Sequence, residues 1–298
     1  MTMDTESSMG TVRGWISSTR EVSGRLVIEI LMVHIVLTSL INLVVFPAGW
    51  FDPLSGATEG LINGTLQAYL VFFLVMGFIW RKKCGFGLGD LALHRSKLLM
   101  GLIVLVVAYA FQQITPLLHG QELKFASWWE TRSSWILGDF FGGQLLGNSL
   151  YEEVFFRAFL ISQLTLLMRR RLNWGFYKCL ISSIILSQLI FALVHVPNRI
   201  YSLGPEYDWQ EFLYDQRMLF AVGILMSIIF LLTNNLFIPI GIHAMANSSP
   251  NIFSGTDFNS TLGVVLLISI GIGLVRWRQG RRNGDEELGN RMGSESSY

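Results

Sequence analysis

The chain of 298 residues is 51% hydrophobic and only 14% charged, against roughly a quarter charged in soluble domains, which excludes an ordinary soluble globular fold. A net charge of +1 from 22 basic and 21 acidic residues leaves no surplus to neutralise phosphates, so nucleic acid is excluded as a partner. Two cysteines, Cys84 and Cys179, can make neither a disulfide framework nor a four-thiolate zinc site.

Apolar runs of membrane-crossing length recur along the chain, and the charges and turn residues between them predict eight spans: 26–46, 61–80, 98–114, 135–168, 174–196, 218–233, 236–252 and 261–277. None alternates as a barrel strand would. A chain in hydrocarbon must satisfy its own backbone hydrogen bonds, so the expected fold is an all-α, polytopic membrane helix bundle of about eight transmembrane helices. Residues 1–25 read as an amino-terminal tail, 26–277 as the transmembrane domain with a motif-bearing core at 135–252, and 278–298 as a polar, mobile tail. The longest loops, 115–134 and 197–217, are too short to be soluble domains, so any chemistry belongs to the bundle. With the amino terminus inside, seventeen of the 22 basic residues fall on the inner side and four on the outer, which predicts two cytoplasmic termini.

An ionisable side chain at the centre of a span costs roughly 3 kcal/mol and marks a functional site by default. The candidates are Glu29, His34, Asp139, Glu152, Glu153, Arg157, His195 and His243. In the run Tyr-Glu-Glu-Val-Phe-Phe-Arg, Glu153 and Arg157 are four apart with the acid first, the favourable order for an ion pair on one helix face. Glu152 lies about 100° around the helix and is the carboxylate left over. Phe191 and His195 are four apart ahead of Pro197, which should close that helix, and His243 and Asn247 are four apart among small residues. Read singly, these are a packing network, an interfacial histidine and an interhelical hydrogen-bond pair. Read together, their polar groups fall at one depth, in the middle to outer part of the bundle.

The three clusters resemble the signatures of the CPBP family of intramembrane proteases, which includes CAAX prenyl endopeptidases and bacteriocin-processing and immunity proteins. Those signatures, EExxxR, FxxxH and HxxxN, match Glu152-Glu153-x-x-x-Arg157, Phe191-x-x-x-His195 and His243-x-x-x-Asn247 in the same order. The resemblance implies an endopeptidase acting on a membrane-associated or prenylated polypeptide within the lipid bilayer. It implies that Glu152 activates water with help from His195, and that His243 and Asn247 stabilise the oxyanion; Glu153 completes the carboxylate pair. The bond-breaking water would need a wet cavity, and the glycines of Gly-Gly-Gln-Leu-Leu-Gly-Asn, residues 142–148, are where the bundle is expected to open.

The family has also been described as metalloendopeptidases, and Glu152, His195 and His243 would be the ligands of a single zinc. No HExxH pair is present, and the reading preferred here is a metal-free glutamate mechanism. Two other classes fit the same residues: a proton-coupled transporter, because intramembrane Glu and His also relay protons, and a non-catalytic scaffold or immunity protein. As a multi-pass integral protein, the chain belongs in the plasma membrane if its source is prokaryotic.

Overall fold

The computed structural model describes residues 12–204 and 208–295, with side chains described through Gln279 apart from Leu203. The described residues are helical throughout, without a strand beyond one antiparallel bridge between Phe125 and Phe253. Helix α1 spans Val12–Ser18, α2 Gly24–Leu40 with a π turn to Val45, α3 Asp52–Ala57, and α4 Gly64–Ile79 with a π turn to Cys84. Helix α5 covers Arg95–Leu118. A long run then alternates α and π geometry: α6 Trp128–Leu137, a π stretch Gly138–Asn148, α7 Ser149–Glu152, a π stretch Glu153–Leu160, and α8 Ile161–Leu172. It is followed by α9 Phe176–Val194, α10 Val196–Leu203, α11 Trp209–Thr233, α12 Phe237–Asn247 and α13 Phe258–Glu295.

Six of these helical segments are long and apolar enough to cross a membrane: 24–45, 64–84, 95–118, 176–202, 209–233 and 258–279. The chain is an integral membrane helix bundle, and the expected count of eight is approximate. Two expected spans take another form. The fourth is the run 128–172, whose ionisable residues and π turns set it apart from an ordinary apolar span. Its stretch Glu153–Leu160 is buried on every side, as a helix at the centre of a bundle must be. The π turns shift the phase of the residues that follow, a distortion that favours functional positions.

The seventh differs more. Helix α12 stops at Asn247 after 11 residues, about 16 Å, too short for a hydrocarbon core of about 30 Å. Its continuation is irregular and runs alongside α5. Asn235 donates to the Lys97 carbonyl, Tyr109 to that of Pro250, the Ile252 amide to Gln113, and the Asp257 amide to Thr115. Residues 235–257 therefore advance with α5 from Lys97 to Thr115, about 27 Å at 1.5 Å per residue. Side chains of α5 replace the backbone partners that a helix would have supplied, which is what non-helical backbone at membrane depth requires.

Three boundaries also differ from expectation. Pro197 does not close a helix; it sits in the first turn of α10, one residue beyond the break at His195, where its missing N–H costs nothing. The 197–217 connection is thus largely helix, and α11 begins at Trp209 rather than 218. At the amino end, Trp15 and Ile16 of α1 are buried in the main core, and Trp15 donates to the Gly89 carbonyl at 2.9 Å. Packed structure thus begins before residue 26. At the other end α13 stays helical to Glu295, while residues 1–11 and 296–298 of the two expected tails lie outside the described residues.

The glycines of the central run are not an opening. A Cβ on Gly138 would lie 2.1 Å from the Gly60 carbonyl oxygen, and one on Gly143 would lie 2.8 Å from the Asn63 amide nitrogen. They let the start of α4 approach the central run backbone to backbone, the use small residues commonly have between membrane helices.

Candidate active site

Glu152 ends α7 and is buried, with its carboxylate at the meeting point of four elements. From α4, the Tyr69 hydroxyl donates to Oε1 at 2.8 Å. From the end of α9, His195 brings Nε2 to 3.8 Å of Oε1, and from α12, His243 brings Nε2 to 3.7 Å of Oε2. One turn back on its own helix, Asn148 directs its amide nitrogen at the carboxylate, 2.7 Å from Oε1 and 3.3 Å from Oε2. In that orientation the Asn148 oxygen accepts from Asn247 Nδ2 at 3.2 Å.

Both imidazoles are held by their other nitrogen. His195 Nδ1 lies 2.6 Å from the Phe191 carbonyl oxygen, which can only accept, so Nδ1 carries the proton. His243 Nδ1 lies 2.8 Å from Glu153 Oε1 and donates to that carboxylate. When neutral, each histidine therefore turns the lone pair of Nε2 toward Glu152. This fixing of the tautomer by a partner on Nδ1 is the usual device for orienting a working imidazole.

Glu153 and Arg157 have no exposed side-chain surface and stand 3.2 Å apart. The guanidinium lies over the Phe191 ring, 4.6 Å from its centroid, where ring quadrupole and carboxylate together replace lost hydration. Phe191 thus serves two partners, because its ring also meets His195 edge-on at 4.5 Å. The four-residue spacing of each pair puts its members on one face, and the interhelical contacts join the faces.

The six residues singled out from the sequence, Glu152, Glu153, Arg157, His195, His243 and Asn247, lie within one connected set of contacts. Three other ionisable residues do not. Glu29 pairs with Arg25 on an exposed face at 2.8 Å. Asp139 accepts from Asn63 at 2.9 Å near the start of α4. His34 bonds Tyr151 at 3.0 Å and stacks on Phe155, behind the site. Tyr69, Gln144 and Asn148 were missed. Gln144, which accepts from Asn247 at 3.0 Å, forms with Asn148 and Glu152 a polar stripe at intervals of four, and that periodicity is visible in the sequence. Nothing local marks Tyr69.

Two imidazoles and a carboxylate are chemically a zinc donor set. Among the described residues, however, no group of three His, Cys, Asp or Glu side chains converges so as to hold a metal ion. The Glu152 oxygen nearest each imidazole stands 3.7–3.8 Å from Nε2, wider than the roughly 3.4 Å between donors sharing one tetrahedral zinc at 2.0–2.1 Å. The residues as placed do not form a metal centre, and no step below is routed through one.

The chain has no significant match among curated proteins or among solved structures. Residues 133–249 match the family model described as type II CAAX prenyl endopeptidase, Rce1-like. That interval, about two fifths of the chain, contains the carboxylate pair, both site histidines and Asn247, and it places the protein in this family of CAAX-type intramembrane endopeptidases.

Proposed function

We propose that the protein hydrolyses a peptide bond of a membrane-associated or prenylated polypeptide, using water activated by Glu152. The observation that carries this reading is the arrangement around one buried carboxylate, with two imidazoles aiming Nε2 at it from 3.7 and 3.8 Å. A water between Glu152 and His195 would donate one hydrogen to the carboxylate and the other to the histidine lone pair. As its oxygen attacks the scissile carbonyl, Glu152 takes the proton and later delivers it to the departing amine, so that the C–N bond breaks with charge conserved. Asn247, exposed at the rim, offers an amide N–H to the developing oxyanion. His243 can add a second donor only when both its ring nitrogens carry protons, because Nδ1–H is committed to Glu153. Such donors count for most where water is sparse. Glu153 and Arg157 hold His243 in register.

The test is cleavage of membrane-anchored peptides by the purified protein. Glu152→Gln keeps size and hydrogen bonding but removes basicity, and it should lower turnover by at least about 100-fold with the fold intact. Near-normal cleavage by a folded Glu152→Gln protein would overturn the mechanism. Chelators should leave wild-type turnover unchanged; loss of activity on chelation and recovery with zinc would assign water activation to a metal instead.

A further inference from the structure

We propose that Tyr69, on α4 and outside the matched interval, is a positioning residue that selects which oxygen of Glu152 acts on water. The inference rests on the reading of Glu152 as the base. The Tyr69 hydroxyl donates to Oε1 at 2.8 Å. Asn148 Nδ2 lies 2.7 Å from the same oxygen and 2.8 Å from the Tyr69 hydroxyl, so its two hydrogens serve both. Phenol, amide and carboxylate oxygen close a three-membered hydrogen-bonded ring. A carboxylate oxygen has about two acceptor positions, and both positions of Oε1 are taken. Oε2, which has only the longer 3.3 Å contact to Asn148 and faces His243 Nε2 at 3.7 Å, keeps the capacity to accept a proton from water.

The rest of the fold holds the phenol in place. Its ring stacks on Phe72 at 5.3 Å and meets Tyr151 at 5.6 Å. The close glycine contact between α4 and the central run brings the helix within reach of Glu152. A hydroxyl that served packing alone would have no need to end on the carboxylate of the base.

Tyr69→Phe removes only the hydroxyl. The full-length protein in detergent or vesicles should keep its unfolding temperature, while kcat falls about 10-fold or more, the usual effect of losing a hydrogen bond to a charged group, and KM stays within about twofold. Infrared difference spectra supply a readout independent of turnover: the carboxylate stretch that vanishes in Glu152→Gln should shift in Tyr69→Phe. If Tyr69→Phe does not fold, 3-fluorotyrosine at position 69, which keeps the ring and strengthens the donor, should move the same band.

A kcat within twofold of wild type, or an unmoved carboxylate band, would overturn the positioning role while leaving Glu152 as the base, provided that Glu152→Gln is inactive. If wild type cleaves no membrane-anchored peptide, or Glu152→Gln still cleaves, the reading of Glu152 fails and this inference fails with it.

Discussion

Arg157 is a wholly buried cation whose guanidinium nitrogens make no hydrogen bond among the described residues. It is held by one carboxylate and one aromatic face. Removing it would leave the equally buried Glu153 facing only His243, and an uncompensated buried charge costs about 3–5 kcal/mol. Arg157→Ala should therefore lower thermal stability and detergent yield together. A variant as stable as wild type but inactive would make the arginine a substrate-binding group. His243 and Asn247 should separate in the same assays. His243→Ala removes a partner of Glu153 and should lose both stability and activity, whereas the exposed Asn247 can be truncated with activity alone falling, by about 2.7–4 kcal/mol in the barrier if it is an oxyanion donor. Which carboxylate pairs with Arg157 was legible from spacing alone, because side chains four apart share a helix face. That His243 would also bond Glu153 was not, because that contact joins residues 90 apart.

At the level of elements, the contact between α4 and the central run is the most demanding in the site. Because a Cβ on Gly138 would sit 2.1 Å from a backbone oxygen, no side-chain rotation can relieve Gly138→Ala, and the helices must part. Such overpacking usually costs about 1–3 kcal/mol, so thermal unfolding should show at least that loss, and turnover should fall as Tyr69 withdraws. Gly175, with nothing within 4 Å of its would-be Cβ, is the control and should tolerate alanine. The same glycines read from the sequence as a gap; only a neighbour's position distinguishes a gap from a close contact. Helix α12 carries a related lesson. Hydropathy extends an apolar segment through 252, yet the helix ends at Asn247 because α5 presents Gln112, Gln113 and Thr115 to the backbone beyond it.

For the molecule as a whole, the expected orientation is testable from outside. Basic residues from distant segments do meet at one end of the bundle: Arg13 and Arg169 both lie over Phe176, and Arg170 pairs with Glu21 at 3.0 Å. If that end is cytoplasmic, Ser202→Cys on α10 should react with an impermeant thiol reagent added from the outside and not from the cytoplasmic side. Labelling from the cytoplasmic side alone would invert the assignment.

Composition, hydropathy and three short motifs determined by themselves that this is an all-helical membrane protein and which polar residues deserve scrutiny. Those properties are legible because desolvation penalises each buried charge wherever it lies along the chain, so the few tolerated ones stand out. The tertiary structure alone decided that Tyr69 and Asn148 complete the environment of Glu152, that glycines admit a helix instead of water, and that the seventh passage finishes without helical hydrogen bonds. Each of these depends on atoms from segments far apart in sequence, and a pairwise contact leaves no periodicity in either partner.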